Sequence, residues 1–462
     1  MKNRITAIFF TFLLATSCTS VQIQETLDGL QAKSSQLLHE QGIAVKNDYS
    51  TIIDVSPYRI NTPDKQASSI SISLNNSVFY NPEANLRTLI EVLLKGVDDP
   101  FRQVKILHDW IALNISYDAF SFSRGVIPEQ SYSNVLKARK AVCDGYSSLF
   151  LQMCTLAKIK CLKLSGYARA VEYDPLSPEI SSQTNHAWNA VFISGNWYLV
   201  DVTWDAGYIK GEGTYSFVKR YATEYFLLEP RYMIHTHFPE SSKWQLLPTK
   251  LTKNDFYALP YLTGDFFDSV EATEPVLTSI NKASETAVLK LMVKDGNRIS
   301  AHLTNSQGIV LKSMTLVTLV DGVYQIQMSF PKSGLYSLQL YSGKNGKTLS
   351  SIGEIVYSVS SGLERNFPDQ YDSSVGSSYK LLSPESGYLK VNTEAVFRLY
   401  IPNRQSAYVS YNRELIPMDA TADGIFTLSM IPTKKGEKLM IMLPLEGRKG
   451  SYETILSYTI IE

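Results

Sequence analysis

Cysteine is scarce in this chain of 462 residues, with four in all, and histidine is nearly as rare, with six. Neither sign of charge is in surplus, because 44 Lys and Arg balance 44 Asp and Glu. A formal net charge of zero, with no local basic cluster, removes the long-range attraction on which nucleic-acid binding rests, so nucleic acid is excluded as a partner. No apolar run reaches the roughly 20 residues that a bilayer-spanning helix needs, so no membrane span is expected. A calcium loop of the EF-hand kind is also missing, and neither a metal nor another cofactor is expected. What is present is the composition of a folded protein, 44% hydrophobic and 11% aromatic. The length exceeds one ordinary core and implies two to four domains.

The N-terminus begins Met1-Lys2-Asn3-Arg4, continues as an apolar run from Ile5 to Leu14, and ends in Ala15-Thr16-Ser17-Cys18. Basic residues, a short apolar run and small residues in that order are an export signal. The stretch resembles the lipobox of bacterial lipoproteins, which implies cleavage before Cys18 and lipidation of its sulfur. It departs from that pattern in carrying Ala15 where a Leu is usual, with Leu14 one residue earlier. A plain secretory signal followed by a chance cysteine is the other reading. With Cys18 lipidated, Cys143, Cys154 and Cys161 remain, and an odd number in an oxidising compartment leaves at least one free thiol.

Periodicity divides the rest. Residues 19–50 are a tether with a possible helix from Ile23 to Leu38. The alternation from Ser69 to Leu74 suggests a half-buried strand. Leu86, Leu89, Ile90, Val92, Leu93 and Leu94 form an apolar face after Pro82, and a second helix is expected from Pro100 to Asn114 with Val104, Leu107, His108 and Ile111 as its buried stripe. All five tryptophans lie between 110 and 244. Beyond Thr273 the pattern changes to short alternating runs such as Tyr324–Met328 and Tyr336–Leu340, separated by Gly-rich, Asn-rich and Ser-rich turns. Such runs suggest β-sandwiches, one over 270–360 and a second over 375–462. The expected core domain occupies 51–265.

Three residue types carry the chemistry. Tyr146, Leu149, Phe150, Met153, Cys154 and Ala157 fall on one helical face, which places Cys143 in the first helical turn. Free N–H groups and the positive dipole end there stabilise a thiolate and an oxyanion. Cys154 and Cys161 read as structural. His186 opens a strand-like run to Ile193, and Trp197 to Trp204 follows the turn signal Ser194-Gly195-Asn196. A hairpin looping from Ile193 to Asn196 sets Asp201 opposite Trp188 and diagonal to His186 on the same face, about 7–8 Å away at the backbone. With a tighter Gly195-Asn196 loop the two would sit four residues apart. In the longer register Asp201 orients the imidazole of His186, leaving the other ring nitrogen for the thiol. Trp188 is a candidate substrate contact, and Gln130 and Tyr132 are positional candidates for a second oxyanion donor. His108 reads as a helix residue packed beside the core.

A cysteine opening a helix, then His186-Ala187-Trp188, then Asp201-Val202-Thr203-Trp204-Asp205, resembles the transglutaminase-like superfamily, a papain-like thiol fold. His186 follows Cys143 by 43 residues and Asp201 follows His186 by 15. His108-Asp109-Trp110-Ile111 through Asp118 is similar to the family's entry helix. Tyr225 to Pro230, His235-Thr236-His237-Phe238-Pro239 and Lys243 to Leu247 resemble the kyphoscoliosis-peptidase branch, in which β-sandwich modules also follow and the His-Phe-Pro segment is a structural hallmark. His235 and His237 alternate as metal ligands could, without a third ligand of clear spacing.

The resemblance implies an α+β fold: a transglutaminase-like core with N-terminal helices, then two immunoglobulin-like (Ig-like) sandwiches. It implies a triad of Cys143, His186 and Asp201 acting on amide bonds of a protein or peptide through a thioester, with peptidase-like hydrolysis favoured over transamidation. The expected setting is the cell envelope, lipid-anchored on a periplasmic or cell-surface face. Acyl transfer from a thioester donor uses the same triad. The competing class is an inactive lipoprotein whose groove and sandwiches bind protein or polysaccharide.

Overall fold

The computed structural model describes residues 52–70, 82–169, 173–176, 182–211, 214–344, 348–371, 378–445 and 447–462. The expected signal segment, Cys18 and the tether with its helix from Ile23 to Leu38 lie outside these residues. Of the expected strand from Ser69 to Leu74, only Ser69 and Ile70 are described, and Ser69 closes a short helix instead, α1, Lys65–Ser69. Asp64 caps that helix by accepting from Gln66 N.

The chain divides into two compact units, one ending at Phe256 but leaving out residues 174–178, and the other made of those five residues and Tyr257–Glu462. In the first, helix α2 spans Pro82–Leu93 and α3 spans Pro100–Asn114, the latter capped by Asp99 with Pro100 in its first turn. Leu86, Leu89, Ile90 and Leu93 of α2 are buried, whereas Val92 is 51% exposed and does not belong to the apolar face expected for it. The physical reason is angular, because Val92 follows Leu89 by three residues but lies two from Ile90, on the flank of the stripe. Helix α4, Cys143–Leu156, buries Tyr146, Leu149, Phe150, Met153 and Cys154.

The helices pack one apolar cluster against an antiparallel sheet. Its strands are β1 (Lys160–Ala168), β2 (His186–Ile193), β3 (Asn196–Val200), β4 (Phe226–Leu228) and β5 (His237–Pro239). Their order across the sheet is β4-β3-β2-β1-β5. The β2–β3 hairpin pairs Ile193 with Asn196 and Asn189 with Val200, the register that sets Asp201 opposite Trp188, reached with a two-residue turn rather than the longer loop expected for it. Ser194 and Gly195 form its turn at φ 48° and 89°. Two positive φ values in a two-residue loop match the right-handed twist of the flanking strands. A second aromatic cluster, including Trp188, Trp197, Tyr225 and Trp244, fills the sheet around Leu162, Leu164 and Leu199.

The second unit holds two pairs of sheets. In the first pair, strands Tyr261–Leu262, Ser350–Val359, Gly334–Lys344, Asn297–Asn305 and Ile280–Ala283 face Val270–Glu274, Thr286–Val293, Val323–Ser329 and Thr315–Val320 over one apolar cluster. In the second, a six-stranded sheet ending in Tyr452–Ile461 and a four-stranded sheet containing Ala395–Tyr400 and Ile425–Met430 enclose another. Alternation drives both: along Thr286–Val293, Leu289 and Leu291 point inward while Val288 and Met292 are exposed. The whole is α+β, with sandwiches of the Ig-like kind after the helical and mixed unit. The unit boundary at Phe256 precedes the expected 265. Likewise Tyr261–Leu262 and Asp369–Gln370 pair in the sheets ahead of residues 270 and 375, where the sandwiches were expected to begin. Strands of two residues carry too little alternation to be read from sequence.

Candidate functional site

Cys143 is the first residue of α4, after Val142, whose extended backbone (ψ −179°) makes it the cap position without a capping side chain. Val142 O accepts from Gly145 N and Tyr146 N, and among the described residues no acceptor takes the N–H of Cys143. That N–H is therefore available to an oxyanion beside the half-buried thiol. Gly145 lets this turn sit close to the preceding chain: a Cβ there would stand 2.5 Å from Gln130 Oε1 and 2.7 Å from Ala141 Cβ and Val135 Cγ2. Gln130 is committed to the same turn, accepting from Val142 N at 3.0 Å and donating to Pro128 O at 2.7 Å. It orders the approach to Cys143 with its oxygen and one of its two amide hydrogens engaged. Tyr132 begins the helix Tyr132–Ala138.

His186 and Asp201 meet across the hairpin as this register requires, with His186 Nε2 2.6 Å from Asp201 Oδ2. The strand ends at Val200, and Asp201 becomes the cap of α5, Val202–Ala206. Its Oδ1 accepts from Thr203 N at 2.8 Å and Trp204 N at 3.3 Å. The carboxylate is thus wholly buried yet fully partnered, the condition under which a buried charge is tolerated. Burial pushes its pKa up, but the charges and N–H groups of His186 and His237 outweigh that and hold it well below the usual carboxylate range.

For His186 burial works toward the neutral ring. The Asp201 carboxylate and the Cys143 sulfur, by charge and by hydrogen bonds, overcome it and raise the ring to about 10. Asp201 holds Nε2, so Nδ1 is the nitrogen left for the sulfur. The three side chains expected from spacing are brought together, His186 and Asp201 buried and Cys143 half-buried at the helix start.

The sequence did not single out the fourth group. His237 Nε2 lies 3.1 Å from the same Asp201 Oδ2, and its Nδ1 lies 2.9 Å from Thr236 Oγ1. Burial lowers its pKa to about 4, more than Asp201 restores, and the charge on His186 adds to the lowering. The His-Phe-Pro segment, expected to be structural rather than catalytic, thus touches the carboxylate that His186 uses. His235 and His237 do not share a strand face either, because His235 lies in the turn after the short helix Pro230–Met233 and β5 begins at His237.

Trp188 is corrected too. At 1% exposure it offers a substrate no surface; its ring instead stacks on His186 at 6.0 Å and meets His237 edge-on at 5.1 Å. Half-buried Trp204, 5.4 Å from the His186 ring and 4.4 Å from His237, is the tryptophan with surface beside the site. Also unforeseen is the ion pair of Lys163 with Asp144, which joins β1 to the residue after Cys143. Asn189 fastens the same helix, donating to Ser147 O at 3.1 Å and Leu162 O at 3.2 Å.

His186, Asp201 and His237 could geometrically share a metal ion. Nitrogen and oxygen ligands at zinc distances of about 2.0–2.1 Å in a tetrahedron lie about 3.3 Å apart. The 2.6 and 3.1 Å separations found here are those of hydrogen bonds. His108, wholly buried as the sequence implied, belongs to a separate network: Nδ1 is 2.8 Å from Asp109 and Nε2 is 3.0 Å from Asp205, while Lys105 and Tyr221 also bind Asp109. Asp205 lies four residues after Asp201 on the same short helix, so this network anchors the cap from behind.

Residues 87–202 match the family model described as the transglutaminase-like superfamily. The kyphoscoliosis peptidase of Mus musculus is 27% identical over 273 residues, 59% of this chain and 40% of that protein. Hillarin of Drosophila melanogaster is 21% identical over 362 residues, 70% of this chain and 44% of its own. The chain thus spans less than half the length of these curated relatives. A solved structure described as a TGase is 15% identical and covers 39% of each chain, with a TM-score of 0.21.

Proposed function

Because residues 87–202 form a transglutaminase-like domain with kyphoscoliosis-peptidase homologues, we propose that the chain is a cysteine enzyme acting on amide bonds of a protein or peptide, with Cys143, His186 and Asp201 as its triad. The observation that carries this reading is that His186 Nε2 meets Asp201 Oδ2 at 2.6 Å while the helix-opening Cys143 sulfur, together with that carboxylate, raises the same ring. The Cys143 sulfur attacks the carbonyl carbon while His186 holds the thiol proton. The oxyanion takes the Cys143 N–H. Collapse breaks the carbon–nitrogen bond, His186 gives its proton to the departing amine, and a thioester remains. Water, activated by the same imidazole, returns the acid and the free thiol. An amine in its place would give transamidation; hydrolysis is favoured on the likeness to peptidases. The N-terminal segment ending at Cys18 supports tethering to the cell envelope by lipid, and Cys18→Ser should move the protein from the membrane to the soluble fraction; a variant that stays with the membrane sinks the tether.

The test of the enzyme reading is iodoacetamide labelling of Cys143 across pH in a form lacking residues 1–18, with His186→Ala beside it, followed by incubation with a denatured protein. Expected are labelling well below the free-thiol pKa of about 8.5, its loss in His186→Ala, and new N-termini in the protein. A profile centred near the free-thiol value in both forms overturns the enzyme and leaves a binding protein.

A further inference from the structure

Among the described residues, His237 is the one buried titratable group in contact with the triad to which the reaction assigns no task. We propose that it is a positioning residue: its Nε2–H holds Asp201 Oδ2 in the orientation that His186 needs, making the working unit a relay of four side chains. The inference rests on the triad reading above.

Four observations carry it. First, Asp201 Oδ2 receives both rings, His186 at 2.6 Å and His237 at 3.1 Å, while Oδ1 is tied to Thr203 N and Trp204 N. A carboxylate gripped by the helix on one oxygen can still pivot about that grip, and the second ring removes the pivot. Second, the tautomer of His237 is determined. Asp201 is an acceptor, so Nε2 must carry hydrogen, and the neutral ring's Nδ1 then accepts from the Thr236 hydroxyl at 2.9 Å in place of that hydroxyl's longer bond to Met233 O at 3.3 Å. Burial keeps the ring uncharged down to about pH 4, so it contributes a donor without drawing on the Asp201 charge that supports His186.

Third, the ring cannot move. It is 1% exposed and boxed by Trp188 at 5.1 Å, Trp204 at 4.4 Å and Tyr225 at 5.2 Å between ring centres. Fourth, its strand is placed by close approach. In β5, His237 pairs with Ala168 and Pro239 with Gly166, where any side chain would collide with Phe238 O and the Trp188 ring. Arg169, the residue after Ala168, donates its backbone N–H to Thr236 O and a guanidinium N–H to His235 O, fixing the residues on the near side of the ring.

The test uses two substitutions in the full folded unit and reads the ratio of Cys143 labelling rates at pH 6 and pH 9, which cancels changes in access. His237→Phe keeps ring volume and removes the donor; His237→Gln places an amide N–H about as far along the side chain as Nε2. Expected is a roughly tenfold fall in the ratio for His237→Phe and a ratio within about twofold of the parent for His237→Gln, the usual scale for losing an outer-shell partner. The direction is diagnostic. A carboxylate short of one donor is more basic, so if His237 only tuned Asp201 the ratio would rise, and a rise overturns the positioning role. An unchanged ratio in His237→Phe, with folding intact by circular dichroism, overturns it as well. Equal falls in both variants assign the effect to packing and overturn the donor role. If the parent ratio itself is indifferent to His186→Ala, the triad reading falls and this inference with it.

Discussion

Asp201 divides its two oxygens between tasks, one capping a helix and one receiving two imidazoles, and those imidazoles are driven in opposite directions. His186 is raised to about 10 and His237 is lowered to about 4. For His237 the folded ring binds fewer protons than the unfolded chain between about pH 4 and the ordinary value of 6.5. Its contribution to stability is therefore complete above 6.5 and is lost as pH falls through 4. At roughly 1.4 kcal/mol for each pH unit between those values, the loss is about 3 kcal/mol. Urea unfolding at pH 7 and pH 4 should show the native chain losing about that much more than His237→Gln; equal losses in the two would refute the neutral buried ring. Cys143, His186 and Asp201 were legible in the sequence because each sits at a helix start or on one local hairpin, although only the pairing of Ile193 with Asn196 chose between the two registers the turn allowed. His237 was not, because its partner is fixed by pairing β5 with β1, across a sequence separation that no periodicity spans. The available signal was that a chain with six histidines puts one directly before Phe238-Pro239, in a strand too short to alternate.

At the scale of elements, the nucleophile helix is held from several sides: Asn189 from the sheet, Lys163 through Asp144, and the helix Tyr132–Ala138 over Gly145. Gly145→Ala would place its Cβ within 2.7 Å of Val135 and Ala141 side chains that are themselves buried. Overpacking of this kind costs about 1–3 kcal/mol, and relief requires the turn at Cys143 to move. The variant should unfold at a lower temperature and label more slowly at Cys143 at pH 6 while the Gln130–Val142 contact is disturbed; a variant with native Tm and native labelling would show that the close approach is dispensable. Both long helices were legible because their apolar residues recur along one face over 14 to 15 residues, and the main hairpin because the turn signal at Ser194-Gly195-Asn196 separates two strand-like runs that are buried on both faces. The exposed Val92 shows the limit of that signal. Periodicity marks a face, and only packing decides how wide the buried part of it is.

At the scale of the molecule, alternation revealed sandwiches but not their pairing. Ile280–Ala283 runs parallel to Ser350–Val359, a partnership between segments some 70 residues apart that no turn chemistry specifies. What the clusters of buried residues do specify is independence. The two apolar clusters around the site draw only on residues from Val55 to Leu246, and the sandwich clusters draw only on residues from Leu262 onward. A fragment of residues 52–256 should therefore fold with its own cores and keep the pH profile of Cys143 labelling, since every group that holds Cys143, His186, Asp201 and His237 in place lies inside it. Calorimetry of the longer form lacking residues 1–18 should then contain the fragment's transition at nearly its own temperature, together with the melting of the sandwiches. A fragment that is soluble but shows no cooperative transition, or one whose labelling profile reverts to that of a free thiol, would mean that the site depends on residues beyond Phe256 and that the division of the chain into self-sufficient units is wrong.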